Sequence, residues 1–153
     1  MSLPFGLIFS IILIVVFVVI AFIAVKYFLG IGSCSEIGLF YDDFQSEINN
    51  AMSAQEYSDV YELTLPSGIT RVCFANLSET ITNAEDYEFI KNYYLYEANV
   101  FLLPPEKACN MPYKFIQKLN IAAITSSMNP YCVEVSRELR IKKGIYDKSI
   151  LVE

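Results

Sequence analysis

Phe5 to Val25 is an unbroken run of 21 residues without a charge, and no other feature of the chain constrains its fold as tightly. At 1.5 Å per residue such a run makes a helix of roughly 31 Å, the thickness of a hydrocarbon layer of about 30 Å. Pro4 suits the first turn of that helix, where a missing N–H costs nothing. Lys26 and Tyr27 suit its far interface, one by snorkelling and the other through an amphipathic ring. A cleaved signal peptide would want a basic n-region, a shorter apolar core and a small-x-small cleavage site. Ala21 and Ala24 stand at the wrong spacing for such a site. Residues 1–29 are therefore expected to stay as a single membrane-spanning anchor. Residues 30–153 are left for one small domain of about 120 residues.

The side on which that domain lies rests mainly on its cysteines. Cys34, Cys73, Cys109 and Cys132 all follow the span, none forms a C-x-x-C pair, and the chain has no histidine. A zinc site would need all four thiolates from separated places. Two disulfides are the better reading, and they imply an oxidising compartment outside the cytoplasm. Three pairings are open, with Cys34–Cys73 and Cys109–Cys132 favoured. Ile31-Gly32-Ser33-Cys34 has the outline of a lipoprotein processing box, which would lipidate Cys34 instead. Asn76-Leu77-Ser78 is a glycosylation sequon, consistent with an external face. The positive-inside rule adds little, because Lys26 is the only basic side chain near either end of the span.

Charge is unevenly placed. Tyr27 to Glu106 holds 13 Asp and Glu against Arg71 and Lys91, whereas Lys107 to Glu153 holds 8 Lys and Arg against 4 acids. Either the two halves pack together in one domain, or neighbouring subunits attract head to tail. With a net charge of −6, association with nucleic acid through net charge is not expected.

Beyond the span, Gly30 and Gly32 lead into Ser33-Cys34-Ser35-Glu36, which fits a capping box and predicts a helix start. Ile37, Tyr41, Phe44, Ile48 and Met52 then recur at helical spacing, while Asp42, Asp43, Ser46, Asn49 and Asn50 fall on other faces. This predicts an amphipathic helix over 34–55, joined to the span through a kink or a short break near residues 30–33. After it, YELTL, Pro66-Ser67-Gly68 and ITRVCFANL read as a hairpin. Asn83 is placed to cap a short helix to about Tyr93, with Tyr87, Ile90 and Tyr94 on one side. ANVFLL, KFIQKLNIAAI, YCVEV, ELRIKK and SILVE are further strand candidates, with Pro104-Pro105 ending the first and Gly144 turning between the last two. The fold class expected is α+β: a long N-terminal transmembrane and amphipathic helix packed on a small, mainly antiparallel sheet. Tyr93, Tyr94 and Tyr96 serve either that packing or a contact surface.

Reaction chemistry is sparse. Without histidine there is no Ser-His or Cys-His pair and no neutral-pH proton shuttle, and no glycine-rich phosphate loop is present. Asp42 and Asp43 diverge by about 100° on a helix, which reads as a solvated face. No spacing selects a catalytic carboxylate pair, and no catalytic, cofactor or metal-binding residue is assigned.

An apolar N-terminal helix, its amphipathic continuation and a small disulfide-bearing β domain together resemble type IV pilins and pilin-like proteins. SLPFGLIFSIILIVVF, IGLFYDDFQ and LPSGITRVCF are similar to a group of archaeal pilin-like single-pass membrane proteins. The resemblance implies a non-enzymatic cell-surface component whose apolar helices bundle with one another, its partners being the bilayer and other envelope proteins or copies of itself. Pilin precursors carry Lys/Arg-Gly ahead of the apolar segment, where this chain has Met-Ser-Leu-Pro-Phe-Gly, so no processing residue is carried over. The alternative is a monomeric anchored binding module or accessory subunit of a secretion or envelope complex. A thiol enzyme would need a reactive cysteine that neither histidine nor C-x-x-C supplies.

Overall fold

The computed structural model describes residues 5–153 and, apart from positions 5 and 29–31, their side chains. Pro4 lies outside the described residues. Helix α1 runs Phe5–Ser53. The chain divides into two compact units, Met1–Ser33 and Cys34–Glu153.

In the first unit α1 is apolar on every side from Gly6 to Val25, and the residues from Gly6 to Phe28 are exposed. Its most apolar stretch has a mean hydropathy of 3.5, long and apolar enough to cross a membrane. The single hydroxyl within the uncharged block, Ser10, donates to Gly6 O at 2.8 Å. The helix thus satisfies its own polar side chain as well as its backbone, as a hydrocarbon environment demands.

The helix start expected at Ser33 to Glu36 is not there. All four residues lie inside α1, and the backbone is helical through 30–33, so of the two junctions expected there, a kink or a short break, the break is not found. A capping side chain is useful only where N–H groups are orphaned. Residues 29–32 already offer carbonyls to the turn that follows, and two glycines at about 1 kcal/mol each cost less than opening that turn on both sides.

In the second unit the rest of α1 is followed by seven strands and two short helices. They are β1 (Tyr57–Glu62), β2 (Arg71–Phe74), α2 (Ala84–Ile90), β3 (Val100–Leu103), β4 (Tyr113–Lys114), α3 (Ile121–Ile124), β5 (Tyr131–Glu134), β6 (Glu138–Lys143) and β7 (Leu151–Val152). The strands form two sheets in the orders β1-β6-β7 and β4-β3-β2-β5, and every strand pairing is antiparallel. The α+β architecture read from the sequence is the one observed.

Burial explains the layering. Val100 and Leu102 of β3 join the core with Ile37, Phe44 and Ile48 of α1, together with Leu139, Ile141 and Val152 from the smaller sheet. Phe101 and Leu103, on the opposite face of β3, pack with Ile90 of α2. All four residues of β3 are buried because α1 covers one face of its sheet and α2 the other, so a continuous apolar run replaces alternation.

Two strand expectations are corrected. Pro66-Ser67-Gly68 does turn the chain, with Ile69 N donating to Pro66 O at 3.2 Å, but β1 and β2 form no hairpin. β1 pairs with β6 over Tyr57↔Lys143 to Glu62↔Glu138, and β2 lies between β3 and β5. Three of the four residues of β2 are fully buried whereas β1 is largely exposed, and one two-stranded ribbon cannot serve both environments. KFIQKLNIAAI is likewise not a strand. Lys118 takes a left-handed φ of 68°, and Asn120 accepts from Ala123 N at 3.2 Å, capping α3. Only its first residue, Lys114, belongs to β4.

The acidic middle and the basic tail pack within the same domain, through β1 with β6 and β2 with β5. Among the described residues the ion pairs Arg71–Asp86, Lys91–Glu88 and Lys142–Glu153 each stay inside one half. Strand pairing, rather than ion pairing, joins the halves.

Candidate functional site: an apolar helix and a cystine-braced head

The stripe that the sequence marks on α1 is the spine of the head. Ile37, Tyr41, Phe44 and Ile48 are buried and Met52 is half-buried against the same core. Phe40 and Ala51 complete it; both sit on the same helical face, so the periodicity that marks the other five extends to them. Phe44 is the hub, its ring 5.9 Å from Phe40, 5.3 Å from Tyr61 and 6.1 Å from Phe74. Tyr41 is buried yet not stranded, because its hydroxyl donates to Met111 O at 3.1 Å. Burial pushes its phenol pKa far up.

The cysteines pair as Cys34–Cys109 and Cys73–Cys132, not as Cys34–Cys73 and Cys109–Cys132. Cys73 and Cys132 are directly opposed on neighbouring strands β2 and β5, with Cα atoms 4.0 Å apart. Linear spacing could not reveal this, since the two strands come from distant parts of the chain. Cys109 follows a 3-10 turn at Pro105–Lys107 and, with Asn110, adopts left-handed φ values of 51° and 61°. It meets Cys34 on α1 across a Cα separation of 5.4 Å. In the chain-entropy model, closing separations of 75 and 59 residues contributes about 4 kcal/mol each. The bridges tie α1 to a loop and tie β2 to β5.

Cys73, Cys132 and Asp86 bring two sulfurs and a carboxylate oxygen within 4.8 Å of one another. Both sulfurs are spent in a disulfide, and Asp86 is held by Arg71 and by Asn83 Nδ2 at 2.8 Å. The donor set is thus engaged within the protein and offers no thiolate. Asn83 also caps α2 as expected, its side chain accepting from Asp86 N.

Beside α1, Glu36, Leu39, Asp43, Tyr61 and Glu62 line a groove of about 280 Å³. Tyr57 donates to Glu47 Oε1, and that bond, helped by burial and by the charges of Glu47 and Asp59, pushes its phenol up to about 12. Tyr61 is pushed up to about 12 by burial first, then by the charges of Asp43 and Glu47. On the α2 side the tyrosine cluster divides. Tyr93 packs on the second core and its ring lies 5.1 Å from that of Tyr113, whereas Tyr94, Leu95 and Tyr96 are exposed. The phenol of Tyr113 is raised by burial and by neighbouring Tyr96 and Tyr93.

The sequon stands next to that exposed segment. Asn76 is half-buried and opens a turn in which Glu79 N donates to Asn76 O at 3.2 Å. Sequence reasoning missed the residue that fixes this turn, Asn129. Its Oδ1 accepts from Asn76 N at 3.2 Å, and its Nδ2 donates to Asn76 O at 2.8 Å and to Thr80 O at 3.2 Å. No sequence signal could have found it, because the contacts span about fifty residues. No protein-family model, curated protein or solved structure matches the chain.

Proposed function

We propose that this chain is a membrane-anchored, non-enzymatic, pilin-like assembly component, with residues 1–29 in the bilayer and the head outside the cytoplasm. The observation that carries this reading is α1 itself. One helix is apolar on all sides over residues 6–25, and from Ile37 onward supplies the buried spine of a β-rich head. A uniformly apolar helix with no protein around it needs lipid or other helices as solvent. The two disulfides support an oxidising compartment for the head. Its mechanism is association: apolar helices pack side by side through van der Waals contact, while the braced heads keep a fixed shape.

Single cysteines placed along the exposed apolar face, at Ile12, Val16, Val19 and Ile23, test this in native membranes. Oxidative crosslinking is expected to yield dimers and higher multimers with a helical dependence on position. A purely monomeric pattern at all four sites counts against assembly and favours the anchored binding module. Protease added outside intact cells is expected to cleave the head, and freshly isolated protein to hold no free thiol.

A further inference from the structure

Asn76, Ala98 and Phe115 border two adjoining clefts of about 480 and 250 Å³. The larger lies within the roughly 300–1,000 Å³ typical of small-ligand sites. Its walls hold the most exposed apolar surface of the head outside the turn at Gly144, with Leu95 77% and Phe115 54% exposed beside Tyr94 and Tyr96. This apolar surface is edged by the polar Asn76, Ser78 and Glu97, an arrangement that an amphipathic occupant would cover.

The occupant follows from the residue in the wall. Asn76 Oδ1 accepts from Ser78 N at 3.1 Å, which fixes the side chain by its carbonyl. Among the described residues no partner takes its Nδ2. Ser78, the third residue of the sequon, is exposed on the same turn. Asn129 clamps the main chain of Asn76 from both sides, so the amide is presented at one place, on the cleft's edge.

We infer that Asn76 carries an N-linked glycan whose first sugars lie over the Tyr94, Leu95 and Phe115 surface. This rests on the head being outside the cytoplasm. In the attachment step Nδ2 forms a bond to the anomeric carbon of a sugar carried on a polyprenyl phosphate or pyrophosphate. The carbon–oxygen bond to phosphate breaks, its electron pair leaving with the lipid phosphate, and the amide proton passes to a carboxylate of the membrane transferase. Once attached, the C–H face of a pyranose covers apolar surface while its hydroxyls stay in water. A bulky polar chain at this position also keeps this face out of contacts between heads.

The full chain, expressed in cells with an envelope N-glycosylation machinery and purified from their membranes, is read by intact mass and peptide mapping. Added sugar mass on the peptide containing Asn76 is expected, lost completely in Asn76→Gln and Ser78→Ala and kept in Ser78→Thr. The Ser78 pair decides the matter if Asn76→Gln does not fold. An unmodified Asn76 overturns the inference. Protease cleavage of the head on the same intact cells then shows whether the anchored topology survives it. Ser78→Ala is further expected to bind more of a hydrophobic dye than the modified protein, and equal binding overturns the placement of the sugars over the cleft.

Discussion

At the scale of single residues, the head is held by polar side chains that imitate backbone. Asn99 is buried, donating from Nδ2 to Ile116 O and accepting at Oδ1 from Ile116 N, both at 2.8 Å. Asn129 does the same for the sequon turn, and its own N–H donates to Thr82 Oγ1 at 2.8 Å. A buried amide that satisfies several main-chain groups is worth more than one hydrogen bond, because its removal strands each of them. Asn129→Leu is therefore expected to destabilise the chain by about 2–4 kcal/mol, measured by denaturant unfolding in detergent, with Asn76→Ala affected less. Equal and small effects would mean that the turn holds itself. Neither asparagine was legible as structural: isolated polar residues carry no periodicity.

At the scale of elements, α1 is terminated by a residue ninety positions away. Lys143 on β6 is buried, and its Nζ donates to Met52 O at 3.1 Å and to Ala54 O. Met52 O belongs to the orphaned last turn of the helix and Ala54 O lies just past it, where the macrodipole also favours a cation. Lys143→Met keeps the length of the stem and removes the charge. It should cost about 1–3 kcal/mol, whereas Lys142→Met, which breaks only the exposed pair with Glu153, should cost less than about 1 kcal/mol. Thermal unfolding of the two variants side by side checks the contrast, and a larger loss for Lys142 would refute it. Gly144, next in sequence, has a similarly local reason. A Cβ there would lie 2.9 Å from Asp147 Oδ2, the oxygen that accepts from its own N–H at 2.8 Å. That turn, the cap at Asn83 and the strand at Val100–Leu103 were readable in advance, since each is written in neighbouring residues.

At the scale of the whole molecule, stability should fall in strong alkali. Tyr57 and Tyr61 stand beside Glu47 and Asp43, and their folded-state pKa values of about 12 exceed the value of about 10 for an exposed tyrosine. Between these values the unfolded chain releases protons that the folded one keeps, so folding is progressively disfavoured. Stability from this source is complete below about pH 10 and is lost as pH rises through 12. Tyr57→Phe and Tyr61→Phe should each flatten the decline when unfolding is followed across that range. An unchanged slope in both variants would remove these phenols as the cause.

What the residues determined unaided is everything governed by short-range pattern: the long apolar helix, the stripe that continues it, the α+β class and most strands. Apolar blocks and periods of 3.6 act over a few turns, and no distant partner can reverse them. Which strands lie side by side, which cysteines meet, and whether β1 turns back on β2 were decided only when the chain closed on itself. Those choices depend on how many faces of each strand the two helices can cover, and that is a property of the packed domain. The same holds for Cys73 and Cys132, for Asn129 and for Lys143, whose partners lie 59 to 91 positions away or are fixed by contacts of about fifty.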